Sequence, residues 1–394
     1  MIDSLLPVLI GGDLGAYSVA LSFYEAYGVC SHVFFDRAGN APPHAPFLRA
    51  HAVSSLTSRG RDALMRFADA HGDQVLLLVP CTEAAMAFVM NERGTLSARY
   101  RMLLQDPSVF AVVRDRAALL AELSHLGVPV VPHLCFSSVG EFARKQAATP
   151  VAYPAILLPT DRYASPTCRP VRVDTRADVL AAVSACFSTG YRGELMLRSV
   201  IGAQAPLLKT LVVIQDRACR VVAAVQARSV LRGEEGNACA ALLAEPPDRA
   251  ALALCRASER LGYCGVACFD LAYDGHGRAY VLDMHPCGGR HVDLLRAAGI
   301  SLARLLVTQV QGGESPPCLQ YPEVYWRCIS DRTVVREGTS REVAEAMRRL
   351  AHGFAFCPFS YEWGTRGTPW HARASRLLRT VCHRRTRLST DGMI

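Results

Sequence analysis

Three residues in one short segment could bring oxygen and nitrogen donors to a single point. Asp270 and Asp283 lie in two apolar runs, VACFDLAY and AYVLDMH, on either side of the turn-forming DGHG. This pattern predicts a β-hairpin with both carboxylates on one face. His285 follows Asp283 by two residues and so projects from the same face. Two carboxylates and a third ligand suit a hard divalent cation of the kind that bridges nucleotide phosphates. Just beyond, Arg290 offers a guanidinium able to hold a phosphate or a carboxylate. A strand aspartate beside a turn can equally be a turn cap, and a histidine at an edge can be merely hydrogen-bonded. The apolar residues around both aspartates favour the ligand reading, because unpaired carboxylates there would be buried at high cost.

The elements that must position these residues come in two styles. Apolar LLPVLI (5–10), SHVFFD (31–36) and QVLLLVP (74–80) read as strands, with helices near Ala16–Tyr27 and Arg59–Ala70 between them. Strands alternating with helices imply a parallel sheet covered on both faces. The first strand runs into Gly11-Gly12-Asp13, which lacks a full dinucleotide fingerprint and fits a substrate near a helix N-terminus better. From Arg114 the style changes. A helix stops at Gly127, and a strand is entered through Pro129 and Pro132. YPAILLP (153–159), a polar loop 160–170, VRV (171–173) and a helix 176–188 follow. Then come ELMLRSV (194–200), LLKTLVVIQ (207–215), CRVVAAVQAR (219–228) and a helix 249–262 leading into the hairpin. This half reads as α+β with antiparallel pairing, while residues after 311 are poorly patterned.

Composition fits this frame. The 394 residues suffice for two or three domains, and 51% hydrophobic with 20% charged residues describes a packed globular chain. No apolar run reaches the length of a membrane span, and the first ten residues lack a basic leader region, so a cytoplasmic protein is expected. The formal charge is +8, yet Lys145 and Lys209 are the sole lysines, a usage that reflects arginine bias more than a nucleic-acid surface. Much of the excess lies in the tail His371–Ile394, which reads as a solvated helix with a frayed end rather than a polyanion site. The 15 cysteines include no Cys-x-x-Cys pair, which argues against zinc and for reduced, buried thiols.

The order of these segments resembles the ATP-grasp superfamily, and within it carboxylate–amine ligases of the D-aspartate ligase type. The resemblance covers most of residues 5–310. PVLIGGDLGAYSVALSFYEAYGV looks like the opening strand, glycine turn and helix of that family. RDRAALLAELSHLGVPVVP looks like its "D-K … G-I-P-x-P" segment, with Arg116 at the lysine position, and YPAILLP like "Y-P-x-x-x-K-P". GYCGVACFDLAYDGHGRAYVLDMHPCGGR is similar to "G-Y-x-x-x-F-D-L-K-Y-D … x-E-I-N-x-R", the most specific match.

The resemblance implies an α/β and α+β ATP-grasp fold. Residues 1–108 would be a preceding α/β domain, 109–200 the helix and small lid subdomain, 201–310 the metal- and nucleotide-binding part, and 311–394 an extension ending in the basic tail. It implies ATP with Mg²⁺ or Mn²⁺, an acyl-phosphate intermediate, and a small-molecule carboxylate and amine as partners, aspartate and a peptide or cell-wall precursor among them. A homodimer would be common among relatives, and no nucleic-acid or membrane partner is implied. In these terms Asp270, Asp283 and His285 would hold metal, while Arg290 would hold the transferred phosphoryl group or substrate carboxylate. Arg116 would contact phosphate, and the strand Glu194–Arg198 would face the adenine. Leu158 stands at the phosphate-binding lysine position, where it supplies neither charge nor hydrogen bond. Arg169 or Arg172, at the next strand, is a candidate to compensate. The loop 160–170 has no glycine, and His285 stands where the motif has asparagine. Binding without turnover is therefore the alternative expectation.

Overall fold

In the computed structural model, the described residues are 4–37, 41–163, 168–202, 207–232, 238–243, 245–314, 323–329, 333–334, 336, 340–351 and 355–356. The tail 371–394 and the middle of the loop after residue 163 lie outside them, so the expectations placed there have no structural counterpart.

Strands β1 (Leu5–Ile10), β2 (Ser31–Asp36), β3 (Leu48–Val53) and β4 (Val75–Pro80) form a parallel sheet in the order β3-β2-β1-β4. Helices α1 (Leu14–Tyr27), α2 (Ser58–Ala70), α3 (Glu83–Asn91) and the short α4 (Arg93–Leu96) accompany it. Val8 and Ile10 pack on one face with Leu64, Phe88 and Val89, and Leu9 packs on the other with Tyr17 and Phe23. Both faces are covered, which explains why β1 and β4 are apolar throughout. The strand β3, LRAHAV, is absent from the sequence reading because it is an edge strand with only its end residues, Leu48 and Val53, buried, so it forms no apolar run.

Helices α5 (Pro107–Arg114) and α6 (Arg116–His125) meet at Asp115, which ends the first and caps the second through Ala118 N at 2.9 Å. Beyond them β5 (His133–Phe136), β6 (Ala155–Pro159), β7 (Val171–Val173) and β8 (Leu195–Ser199) make a small antiparallel sheet, ordered β5-β8-β6-β7. Helices α7 (Val139–Ala148) and α8 (Arg176–Ser188) cover it with Phe142, Val179 and Val183. Cys168 and Cys186 form a disulfide, which corrects the expectation of uniformly reduced thiols and ties the end of the polar loop to α8.

The third sheet has the order β13-β12-β9-β10-β11-β14-β15. Its members are β9 (Leu207–Gln215), β10 (Val221–Arg232), β11 (Ala238–Leu243), β12 (Gly265–Tyr273), β13 (Ala279–His285), β14 (Val324–Arg327) and β15 (Ala355–Phe356). All pairings are antiparallel except β14 with β15. Helix α9 (Arg249–Leu261) lies on one face. Helices α10 (Asp293–Ala297) and α11 (Leu302–Val310) lie on the other, against α1. Helix α12 (Ser340–Ala351) packs beside β14 through Val343, Ala346 and Met347. Strands β11 and β14 and helices α3, α7, α10, α11 and α12 are further elements that the sequence reading does not anticipate.

Candidate active site

The hairpin β12–β13 forms as its pattern predicts, and its register sets Asp270 directly opposite Asp283. At the turn, the Asp274 carboxylate accepts from His276 N and Arg278 N, both at 2.9 Å, while Gly277 adopts φ +76°, a conformation glycine takes without strain. Both site aspartates are 6% exposed. His285 comes round to Asp270, with Nε2 3.5 Å from Oδ2, and its Nδ1 lies 2.6 Å from Glu83 Oε1. Glu83 is the first residue of α3, so this contact fastens the parallel sheet to the hairpin.

Asp283 is the centre of the site. Arg116 Nε donates to its Oδ2 at 2.9 Å, and Arg162 Nη2 donates to Oδ1. Arg116 also donates from Nη1 to the Pro159 carbonyl at 3.0 Å, and Arg162 from Nε to the Val113 carbonyl at 2.9 Å. Arg198 Nη1 donates to the Leu282 carbonyl at 2.7 Å, next to Asp283. The loop carrying Arg162 is pinned in place. Arg116 N donates to the Thr160 carbonyl at 2.8 Å, and Arg114 pairs with Asp161 at 2.9 Å. Guanidiniums from α6, from the loop after β6 and from β8 thus converge where the small sheet meets the large one.

The electrostatics follow from burial and these partners. Burial works to raise the Asp283 carboxyl, but Arg162 and Arg116 outweigh it and hold the group well below the usual carboxylate range. Burial would lower the His285 imidazole, yet its hydrogen bonds to Asp270 and Glu83 raise it to about 10. The ring is therefore a cation at neutral pH. Burial raises the Asp13 carboxyl, opposed by its α1 cap bonds to Ala16 N and Gly15 N and by the charge of Arg290.

The other expected residues are dispersed. Arg290 lies on the turn Gly289–Val292, near Asp13, with Nη1 3.8 Å from Cys239 Sγ, and not within the arginine trio. Leu158 is 2% exposed in an apolar cluster with Met196, Leu211 and Phe269. Arg172 stands on the edge strand β7, 58% exposed and paired with Asp174, so it does not compensate for Leu158. The Glu194 carbonyl accepts from Thr160 N and the Tyr191 hydroxyl. The backbone of β8 is taken up by ladders to β5 and β6, which leaves it unsuited to pair with an adenine. Glu83 and Arg162 were missed from sequence. Arg162 sat in a polar loop whose only readable signal was the cluster Asp161-Arg162-Tyr163. In the motif resembled by the hairpin, arginine follows the asparagine position by two residues; here that position is Cys287, buried and with its thiol raised by that burial.

Asp270, Asp283 and His285 therefore stand together, but they do not fit a divalent cation as arranged. Both oxygens of Asp283 accept from guanidiniums, and both nitrogens of His285 face carboxylates. Among the described residues no group of three His, Cys, Asp or Glu side chains is arranged to hold a metal ion.

This chain has the ATP-grasp fold: a parallel α/β sheet, a small antiparallel sheet and a large antiparallel sheet ending in an acidic hairpin. It is similar to the biotin carboxylase domain of 2-oxoglutarate carboxylase from Hydrogenobacter thermophilus, solved as a dimer with MgADP, ADP and bicarbonate. The TM-score is 0.63 at 16% identity, over 81% of this chain and 73% of that one. N5-carboxyaminoimidazole synthetase from Staphylococcus aureus matches with TM-score 0.59 at 14% identity, covering 80% and 79%. L-amino acid ligase from Bacillus licheniformis matches with TM-score 0.58 at 15% identity, covering 79% and 78%. At these identities the likeness shows the fold. No protein-family model and no curated protein matches the sequence. No helix among the described residues is long and apolar enough to cross a membrane.

Proposed function

We propose that the chain is an ATP-dependent carboxylate–amine ligase, forming an acyl phosphate that an amine then attacks. The observation that carries this reading is the convergence of Arg116 and Arg162 on the buried Asp283 carboxylate, with Arg198 bonded to the adjacent Leu282 carbonyl, where the small sheet meets the large one. Phosphoryl transfer needs positioning and charge neutralisation more than covalent help, and clustered guanidiniums supply both. In this reading Arg290, whose charge acts on Asp13 at the N-terminus of α1, would hold the substrate carboxylate. The chemistry of the acceptor amine is set by loops that carry no readable motif. A second reading, nucleotide binding without turnover, is favoured by Leu158, whose apolar surroundings offer nothing to a phosphate.

Calorimetry with ATP, followed by ADP release in the presence of pooled amino acids, tests both readings. The ligase reading expects binding, with ADP released only when a carboxylate and an amine are both present. Binding without release under any pairing would replace it with the second reading. Absence of binding in every buffer would overturn both.

A further inference from the structure

We infer that this centre takes the polyphosphate of its nucleotide without a divalent cation, the guanidiniums of Arg116, Arg162 and Arg198 supplying the positive charge. The inference rests on the nucleotide reading above. Its basis is how the donors that would hold a metal are already used. Asp283 gives Oδ2 to Arg116 Nε at 2.9 Å and Oδ1 to Arg162 Nη2. Its Oδ1 also accepts from Met284 N at 2.9 Å. His285 turns one nitrogen to Glu83 and the other to Asp270.

The charges call for no further cation. Arg116, Arg162 and Arg198, with the His285 ring between Glu83 and Asp270, already match or exceed the carboxylates of Asp283, Asp270 and Glu83, so a divalent cation would add two charges to a set that needs none. It would also have to displace the two guanidiniums that already occupy both oxygens of Asp283. The same guanidiniums retain capacity for an anion. Arg162 Nη1 is buried and makes no hydrogen bond, with Glu83 Oε1 3.8 Å away. Phosphate oxygens match a guanidinium fork in geometry as well as charge.

Full-length protein is titrated with ATP by calorimetry, once in excess EDTA and once in millimolar Mg²⁺. The expected Kd in EDTA lies within about threefold of that in Mg²⁺, and a larger loss on chelation overturns the inference. Arg162→Ala is expected to weaken ATP binding in EDTA by about tenfold, and unchanged affinity would count against the assignment. Mn²⁺ alone, followed by electron paramagnetic resonance, needs no variant and is expected to show no saturable site. A saturable Mn²⁺ site abolished by Asp283→Asn would overturn the inference. ATP binding that requires Mg²⁺ removes this inference and leaves the nucleotide reading intact. Failure to bind ATP in both buffers removes the two together.

Discussion

Asp283 is a buried carboxylate whose neighbours outnumber it, and that imbalance dictates how substitutions there behave. Asp283→Asn would leave Arg116, Arg162 and Arg198 facing one another with one counter-charge fewer. Breaking a buried ion pair from one side costs about 3–5 kcal/mol, so the urea midpoint should fall by that equivalent. Inorganic phosphate should restore part of the loss, because an anion bound only by the folded state stabilises it. A second residue-scale effect lies at the far edge of the parallel sheet. His32 Nδ1 is 2.9 Å from His51 Nε2, and its ring lies 4.8 Å from Phe67. Burial lowers His32 to about 4, with the charges of His51 and His71 adding to the effect, so the folded ring stays neutral. The unfolded ring gains its proton near pH 6.5, so stability should fall as pH drops from about 6.5 towards 4. Melting curves across that window should slope less steeply in His32→Phe.

At the scale of elements, β6 and the loop after it decide what the small sheet presents to the hairpin. Leu158 pairs in register with Met196 and faces the cluster of Leu211 and Phe269. Leu158→Lys should therefore lower Tm without tightening ATP binding in calorimetry, since an ammonium there enters an apolar core. The disulfide Cys168–Cys186 closes a loop of 18 residues, which stabilises by about 3 kcal/mol in the chain-entropy account. Adding dithiothreitol to protein purified without reductant should lower the thermal midpoint accordingly, and Cys186→Ser should abolish that response. This bond was invisible in the sequence because its two cysteines follow no spacing rule among 15. The hairpin was legible for the opposite reason: DGHG between two apolar runs specifies turn, register and face at once. The motif pointed to Asp270, Asp283 and His285 but not to their partners. Arg162 and Glu83 reach the site from elements 121 and 202 residues away from their partners along the chain, a separation that no local pattern encodes.

For the whole molecule, three sheets of different style meet around one polar seam, and the succession of strand patterns made two of them readable in outline. The far side of the large sheet was not. Strand β14 is four residues long, VYWR, and it finds its place by pairing with β11 rather than by its own pattern. There Trp326 Nε1 donates to Asp293 Oδ2 at 2.7 Å, and Cys328 N donates to the Cys239 carbonyl at 2.9 Å. A chain ending at residue 310 would leave the edge of β11 unpaired, with buried Cys239 and Ala241 uncovered. Such a truncation should sediment as aggregate, whereas a chain ending at residue 370 should remain monodisperse. The same strand also orders events during synthesis. The parallel sheet and the small sheet are complete once Ser199 has left the ribosome, but the large sheet must wait for β14, ending at Arg327 more than a hundred residues later, and for β15 after it. Until then the nascent chain carries an open strand edge beside a finished domain, so a trigger for chaperone capture is written into the position of β14.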